Sequence, residues 1–339
     1  MDKHVFISDF SRLGKWLQRY LLGKRAVREL DDAIMQSLEA NRWFTKYHIK
    51  ERLAAITNEY LQCQKLEVWL ARYPDVWDGY QKEIAVVMAG NIPLAGYHDY
   101  LSVLASGRRV AVKLSSKDAA LLPALHDLLC SFAPEWRSRV RYVAEVPQEV
   151  DGLITSGSDV TARWFLTHYP HLPKIVRGHR ASVAVVPMEV TSEQISGLHR
   201  DMFAYFGLGC RSVVRLFLPK GFDLLRLTTF PQPPKEASHS GFRRAYQRQK
   251  ALFILQERPF IDGGFFLLQE QDSLSPPMAT IYYTFYSHIN EVIDYIKNHR
   301  SQIQCVVGID QEIENCINFG SAQTPSCGEY ADGIDTMRL

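Results

Sequence analysis

The sequence lacks an excess of charge of either sign. Its 39 Lys and Arg residues are balanced by 37 Asp and Glu residues, which leaves a net charge of +2. So small a charge gives no general attraction to nucleic acid or to an anionic membrane surface. No run approaches the ~20 apolar residues that a membrane-spanning helix needs, and no signal-peptide pattern follows the first residues. We therefore expect a cytoplasmic protein with no membrane span and no nucleic-acid partner.

Cysteine is scarce, and its spacing does not match a metal site or a disulfide framework. The six cysteines form no Cys-x-x-Cys pair, and no histidine lies at zinc-finger spacing from one of them. We expect reduced thiols and no metal. With 46% hydrophobic and 12% aromatic residues, the composition is that of a well-packed enzyme, and 339 residues favour two domains.

One strand-turn-helix-strand unit stands out in the first half of the chain. Residues 84–88 and 109–114 are short apolar runs typical of strands buried on both faces of a parallel sheet. Between them, residues 94–105 carry apolar side chains at helical spacing. This unit predicts an α/β fold with a parallel sheet and a right-handed crossover. Ligands of such sheets bind beyond the carboxyl ends of the strands, which is where Asn91 and Lys113 fall.

Further elements are predicted on both sides of this unit. Residues 9–72 are predicted to be helical almost throughout, with apolar stripes that would cover the sheet. Apolar patterns typical of strands occur at 140–146, 151–154, 174–176, 181–186, 213–218, 264–268 and 280–285. The remaining predicted helices are 119–132, 159–168, 191–206, 242–256 and 291–299. Turns or loops are predicted at 73–75, at 230–234 and through the turn-rich end from residue 305.

Two glycine-containing segments have to be weighed as cofactor motifs. In Thr155-Ser-Gly-Ser158, the N–H groups of the following helix and the small side chains of Gly157 and Ser158 would form a cradle for a phosphate or a nicotinamide. Such joins are common in α/β proteins, so this signal alone is weak. The segment 207–212, Gly-Leu-Gly-Cys-Arg-Ser, mimics a dinucleotide motif, but it follows a helix and precedes a strand, the reverse of what that motif requires.

Four landmarks in this order and spacing resemble the aldehyde dehydrogenase superfamily, and within it the acyl-CoA reductases of the bacterial luminescence type. They are Asn91-Ile-Pro after a strand, Lys113 at the end of the next strand, Thr155-Ser-Gly-Ser158 at a helix start, and Cys210 on a glycine turn. The resemblance covers roughly residues 84–320.

The resemblance implies an α/β, aldehyde dehydrogenase-like fold, with a Rossmann-type parallel-sheet cofactor domain and a second α/β catalytic domain. On this chain, the helical N-terminus and the dinucleotide-binding domain would take residues 1–190. The catalytic domain with the thiol would take residues 191–319, and residues 320–339 would form a C-terminal tail.

The same resemblance implies the catalytic groups. Cys210 corresponds to the nucleophile that attacks the acyl carbon. The side-chain amide of Asn91, with the Cys210 backbone N–H, would hold the oxyanion. Without the resemblance, a free cysteine is as readily a small buried hydrophobe, which is our interpretation of Cys63, Cys130 and Cys305. An asparagine two residues before a proline is equally a turn former.

The implied cofactor is NADPH. Lys113 matches the lysine that binds the adenosine ribose, and many NAD-using members carry a glutamate three places later. This chain has Ser116 there, followed by Lys117. A carboxylate would repel a 2′-phosphate, whereas these residues would not. Asp272 aligns with the glutamate of the Glu-Ile-Phe-Gly-Pro motif and is a further candidate contact with the cofactor.

One departure from the family pattern favours reduction over hydrolysis. The Glu-Leu-Gly-Gly general base would fall near Arg177-Gly-His-Arg180, where no carboxylate stands. Without that base, water would release the acyl group slowly, and the acyl-enzyme would survive until hydride arrives. His179 is then the nearest candidate proton shuttle, although most such histidines are simply satisfied by their surroundings.

We therefore expect the reduction of an acyl-CoA, with a fatty acyl group favoured, to an aldehyde, with coenzyme A as part of the substrate. The alternatives are an NAD(P)-dependent aldehyde-oxidising dehydrogenase and a degenerate interaction subunit of the same fold. A homo-oligomer, or a partner enzyme that donates the acyl group, stays open. The basic residues of helix 242–256 are interpreted as a solvated face, and contact with a coenzyme phosphate is the weaker alternative.

Overall fold

The computed structural model describes residues 2–74, 82–230, 233–309 and 312–339. The chain divides into two compact units: one comprises Met1–His179 and Thr324–Leu339, and the other comprises Arg180–Gln323. In the two predicted turns, Asp75 and residues 231–232 lie outside the described residues. Within the described residues, no helix is long and apolar enough to cross a membrane.

The first unit opens with a layer of helices that covers its sheet. They are α1 (Lys3–Leu21), α2 (Arg28–Ala40), α3 (Lys46–Tyr60) and α4 (Cys63–Leu70). The Asp2 carboxylate caps α1 by accepting the His4 and Val5 N–H groups, as expected for an N-cap aspartate. Apolar residues of α1, such as Phe6 and Phe10, share one buried core with the strands of the sheet. The predicted covering role of these helices is therefore confirmed.

The sheet of the first unit has the strand order β3-β2-β1-β4-β5, and all pairs are parallel. The strands are β1 (Glu83–Val87), β2 (Arg109–Lys113), β3 (Val140–Tyr142), β4 (Gly152–Ser156) and β5 (Lys174–Arg177). The helices between them are α5 (Tyr97–Ala105), α6 (Leu121–Cys130) and α7 (Asp159–His168). This is the Rossmann-type order, in which ligands bind beyond the carboxyl ends of the strands.

The second unit contains a seven-stranded sheet with the order β12-β11-β6-β7-β10-β9-β8. Its elements are β6 (Ala181–Val185), α8 (Ser192–Phe203), β7 (Val213–Pro219), α9 (Ser240–Leu255), β8 (Ile261–Asp262), β9 (Leu267–Glu270), β10 (Thr280–Tyr286), α10 (Ile289–Asn298), β11 (Ile303–Val307) and β12 (Cys316–Ile317). The β8–β9 pair is antiparallel, and the other pairs are parallel. Short 3-10 turns lie at Pro134–Arg139, Ala204–Gly207, Leu224–Leu227, Lys235–Ser238, Ala331–Gly333 and Thr336–Arg338.

The observed division differs from the predicted boundaries after residues 190 and 319. The strand β6 pairs with β7 and β11 of the second sheet, so the first unit ends at His179 rather than at residue 190. The turn-rich end also contains β11, where polar Gln304 interrupts a short apolar run and weakens the strand pattern.

The predicted C-terminal tail is part of the first unit. The Trp69 indole N–H donates to the Tyr330 hydroxyl over 2.7 Å, and the Tyr73 hydroxyl lies 2.8 Å from the same oxygen. Met337 is buried in the core of that unit. The last residues are therefore a packed element of the fold rather than an appendage.

Candidate functional site

The carboxyl ends of four adjacent strands bring most of the predicted residues of the first unit to one edge of its sheet. Val87, the last residue of β1, pairs with Lys113 on one side and with Thr155 on the other. Ser156 in turn pairs with Arg177 at the end of β5. The segments that carry Asn91, residues 116–117, residues 157–158 and His179 all follow these strand ends. The structure thus collects them at the edge where such sheets bind ligands.

Two loops at this edge, residues 88–94 and 114–118, are packed closely on each other. A Cβ added to Gly90 would lie 2.3 Å from Ser115 Oγ and 2.9 Å from Lys117 Cβ. The Gly90 carbonyl also accepts the side-chain amide of Asn41 over 3.0 Å. Only glycine permits this approach, so Gly90 fixes the position of the exposed Asn91 that follows it.

Asp118 supports the same loop and was missed by the sequence analysis. Its Oδ2 accepts the Leu94 N–H over 2.7 Å, and Leu94 has a left-handed backbone with φ 53°. Burial raises the pKa of the Asp118 carboxyl to about 6, while the Leu94 N–H and the Arg52 guanidinium oppose that shift. No apolar pattern marks a capping aspartate of this kind, because its function depends on where the loop folds back.

The candidate cofactor residues on β2 and the following loop differ in exposure. Lys113 is half-buried at the strand end, whereas Ser116 and Lys117 are exposed. The nearest carboxylate along the chain, Asp118, is buried and turned toward Leu94. The exposed part of this loop therefore presents a hydroxyl and an ammonium group, a donor set that suits a phosphorylated ribose.

The start of α7 is capped by its own side chains. Ser158 Oγ accepts the Thr161 N–H over 3.3 Å, and the Gly157 N–H donates to the Arg177 carbonyl over 3.1 Å. Asp159 in the first helical turn accepts the His179 N–H over 2.8 Å. The predicted phosphate cradle at Gly157 and Ser158 thus includes a carboxylate, which weakens the attraction of the helix start for an anion.

Two carboxylates that contact residues 177–180, Asp99 and Asp159, are engaged by polar partners. The Arg177 guanidinium donates to Asp99 over 2.6 Å in a buried ion pair, and it also reaches the Thr336 hydroxyl over 3.3 Å. Asp159 is held by the N–H of the exposed His179. Neither carboxylate is placed as a ready general base, because each already compensates a donor.

In the second unit, Cys210 lies on a loop between α8 and β7 and is exposed. The chain reaches this loop through Tyr205, Phe206 and Gly207, which all have left-handed backbones with φ 54°, 61° and 72°. Left-handed tyrosine and phenylalanine are strained, and such strain persists where the surroundings enforce it. The buried Phe206 ring, 4.6 Å from the His239 ring and 5.8 Å from the Phe242 ring, supplies that constraint.

Hydrogen bonds from three directions fix the loop after its strained turn. The Ser182 hydroxyl donates to the Cys210 carbonyl over 2.9 Å, and the Ser182 N–H donates to Ser212. The Arg211 guanidinium donates to the Ala322 carbonyl. The buried carboxylate of Asp201 accepts the Ala322 N–H over 3.1 Å. The backbone that carries the exposed thiol is therefore held by hydrogen bonds in this conformation.

The structure gives Asp272 a different partner from the predicted cofactor. Its carboxylate is bound by the Arg215 guanidinium, which is buried in the second sheet and lies 4.1 Å from the centre of the Tyr295 ring. Asp272 follows β9, and its negative charge compensates a cation in the core that also donates to Thr284. This ion pair gives Asp272 a structural role, and its contact with the cofactor stays a prediction.

A small apolar cavity adjoins the Cys210 loop within the second unit. It has a volume of about 60 Å³, and Gly207 and Val213, which flank the loop, contribute to its wall. Met202, Phe206 and Phe242 line it as well.

The basic helix α9, predicted at 242–256, exposes Arg243, Arg244 and Arg248, which agrees with a solvated face.

Comparisons with solved structures identify the fold. No protein-family model matches this chain, and no curated protein matches its sequence. Among solved structures, it is similar to an NAD-dependent aldehyde dehydrogenase from Sinorhizobium meliloti, with a TM-score of 0.67 and 12% identity over 93% of this chain and 72% of that one.

Two further structures give the same result. The NAD+ complex of an aldehyde dehydrogenase from Bacillus cereus has a TM-score of 0.65 and 12% identity, over 93% of this chain and 73% of that one. Aldehyde dehydrogenase 21 from Physcomitrella patens, in complex with succinate, has a TM-score of 0.66 and 10% identity, over 93% and 75%. The predicted fold is confirmed: it is the aldehyde dehydrogenase-like α/β fold.

Within the described residues, no group of three or more His, Cys, Asp or Glu side chains could hold a metal ion. The groups collected at the two candidate positions are instead a thiol, an amide, hydroxyls and cations. The thiol suits acyl transfer to sulfur, and the hydroxyls and cations of the first unit suit an anionic ligand.

Proposed function

We propose that this protein is an NADPH-dependent acyl-CoA reductase that converts a fatty acyl thioester into an aldehyde. The observation that carries the proposal is the exposed Cys210 thiol on the strained, firmly held loop before β7. A thiol presented in this way suits a nucleophile, and it is unlike the buried thiols of Cys130 and Cys327.

In the proposed reaction, the Cys210 thiolate attacks the thioester carbonyl carbon. Asn91 and the Cys210 N–H are the proposed donors for the oxyanion, each worth about 3 kcal/mol of transition-state stabilisation by analogy with other oxyanion holes. The coenzyme A thiolate then leaves, and the acyl group stays on Cys210 as a new thioester. His179 is the proposed proton shuttle for the leaving groups, through its exposed ring.

The residues at the carboxyl edge of the first sheet fit a nicotinamide cofactor with a 2′-phosphate. Lys113, Ser116 and Lys117 are the proposed contacts with its adenosine ribose, and the Gly157–Ser158 turn is a weaker candidate for its diphosphate. When bound, NADPH supplies the hydride that reduces the acyl carbon. Cys210 then departs as a thiolate, and the aldehyde is free.

Reduction is favoured over hydrolysis because the local carboxylates are engaged. Asp99 pairs with Arg177, and Asp159 accepts the N–H of His179, so neither is a ready general base for water. An acyl-enzyme without a general base is hydrolysed slowly and can wait for the cofactor. The cavity beside the Cys210 loop, lined by Met202, Phe206 and Phe242, has a volume of about 60 Å³ and is the proposed contact for only the first carbons of the acyl chain.

The second candidate is oxidation of an aldehyde with NAD(P)+, which is favoured by the fold shared with NAD-dependent aldehyde dehydrogenases. A spectrophotometric assay separates the two. Loss of NADPH that requires an acyl-CoA supports the reductase, whereas formation of NAD(P)H from aldehyde without coenzyme A supports the dehydrogenase. The Cys210→Ser variant should be inactive, and Cys63→Ser, which changes another exposed thiol, should retain activity.

The proposal fails if the wild-type chain neither reduces acyl-CoAs nor oxidises aldehydes of several chain lengths, and if it binds no dinucleotide. The interaction subunit without catalysis would then be the better interpretation.

A further inference from the structure

A second thiol shares a hydrogen-bonding partner with the Cys210 loop. The Ser182 hydroxyl oxygen lies 2.9 Å from the Cys210 carbonyl oxygen and 3.0 Å from Cys305 Sγ. Ser182 donates its only proton to the carbonyl, so the Cys305 thiol is the donor in the second contact. One hydroxyl group therefore separates the backbone of Cys210 from the sulfur of Cys305.

Strand pairing explains why these residues meet. The strand β6, which carries Ser182, lies between β11, which carries Cys305, and β7, which begins just after the Cys210 loop. In the parallel ladder between β11 and β12, Val306 pairs with Cys316. Side chains alternate along a strand, so Cys305 and Cys316 point to opposite faces of this sheet. Cys305 shares the face of Ser182, and Cys316 does not.

The two thiols differ in reactivity in the way that a sequential oxidation requires. Cys210 is exposed, whereas Cys305 is half-buried. Burial raises the pKa of the Cys305 thiol, Arg211 and the hydrogen bond with Ser182 oppose that shift, and the Cys210 thiol and Asp201 carboxyl add to it less strongly. An oxidant in solution therefore meets Cys210 first, and Cys305 stays a protonated thiol until a reactive sulfur comes close.

We infer that Cys210 and Cys305 form a peroxide-induced, reversible disulfide that protects the exposed thiol from overoxidation. This site is independent of the proposed reductase activity, since it requires only the two sulfurs and the loop between them.

The chemistry takes two steps. The Cys210 thiol gives up its proton, and the thiolate attacks one oxygen of hydrogen peroxide. The O–O bond breaks, Cys210 becomes a sulfenic acid, and the departing hydroxide takes up the released proton to form water. Cys305 then loses its proton, and its sulfur attacks the sulfenic sulfur. The S–O bond breaks, a second water leaves, and the disulfide forms. A dithiol reductant restores both thiols.

Formation of the bond requires the Cys210 loop to move over the short distance now occupied by the Ser182 hydroxyl. Disulfides form with Cα atoms about 4.4–6.8 Å apart, so Ser182 must release both partners as the sulfurs approach.

The test is peptide mapping of the reduced chain after treatment with hydrogen peroxide and alkylation of the remaining thiols. Trypsin releases Cys210 in residues 201–211, and further cleavage after Glu312 or Glu314 separates Cys305 from Cys316. We expect a cross-linked Cys210–Cys305 peptide pair that dithiothreitol separates by reducing the disulfide. The matched variant Cys316→Ser, on the opposite face, should form the same link.

In Cys305→Ser, Cys210 should instead accumulate as sulfenic acid, trapped by dimedone, and then as sulfinic acid. Two results with the wild-type chain would overturn the inference and need no variant to fold. One is conversion of Cys210 to sulfinic acid without a cross-link. The other is a cross-link from Cys210 to any cysteine except Cys305. Neither readout depends on NADPH or acyl-CoA, so this inference and the proposed function can fail separately.

Discussion

Replacing Gly90 by alanine should destabilise the first unit and misplace Asn91, because the new Cβ has no room. It would lie 2.3 Å from Ser115 Oγ, 2.8 Å from Ser115 Cβ and 2.9 Å from Lys117 Cβ. Carbon atoms in contact normally lie about 3.5–4.0 Å apart, so the two loops must separate by roughly 0.6 Å or more. Overpacking of this kind typically costs about 1–3 kcal/mol.

The free energy of unfolding in urea measures that cost, and a second substitution tests its origin. Ser115→Gly removes two of the three close contacts, so the double variant Gly90→Ala/Ser115→Gly should recover about 1 kcal/mol. The contact with Lys117 Cβ remains, and recovery should therefore be incomplete. Gly90 does not have a positive φ, so backbone strain does not confuse the comparison.

The same variant should lose reductase activity more than stability alone explains. Asn91 is the next residue, and a shift of about 1 Å in a catalytic group can cost on the order of 100-fold in rate. We expect kcat to fall with little change in KM. If Gly90→Ala is as stable and as active as the wild type, or if Ser115→Gly does not rescue it, the packing of these loops has been misjudged.

Three further predictions concern other parts of the molecule. Asn91→Ala should lower kcat by about 100- to 1,000-fold, as loss of one oxyanion donor does, with circular dichroism unchanged; an unchanged kcat would remove Asn91 from the mechanism. Burial lowers the pKa of His199 to about 4, below the value near 6.5 of the unfolded chain, so its contribution to stability is lost as pH falls from about 6.5 to 4. At pH 5 this loss is about 2 kcal/mol. Between pH 7 and pH 5, the free energy of unfolding in urea should therefore fall by about 2 kcal/mol less for His199→Phe than for the wild type. An equal fall in both proteins would contradict the shift. Asp201→Ala should leave the Gly320 and Ala322 N–H groups without their acceptor, lower stability by about 1–3 kcal/mol, and speed hydrogen exchange at residues 320–322 and not at β10.

Elements with a strong local pattern could be predicted from the sequence. The strands β1, β2 and β7 are mostly apolar, although Arg215 interrupts β7, and they lie within two residues of their predicted bounds. Helix α8 begins at the predicted N-cap, Thr191, which forms a capping box with Gln194. In each case the signal consists of neighbouring residues whose preferences agree with the fold.

Features that depend on distant residues could not be predicted. Residues 174–176 and 181–186 were both interpreted as strand, but only pairing in space shows that β5 and β6 belong to different sheets. Asp118 is an ordinary polar residue until the loop of Leu94 folds onto it. The ion pair between Asp272 and Arg215 joins residues that are distant in sequence, and no local pattern signals it.

The central claim is that Cys210 accepts an acyl group from coenzyme A. Mass spectrometry of the intact chain, mixed with acyl-CoAs of several lengths in the absence of NADPH, tests it most directly. We predict a mass increase of one acyl group on the wild type and on Cys63→Ser, mapped to residues 201–211, with none on Cys210→Ser. An adduct on another cysteine, or no adduct with any chain length, would contradict the claim.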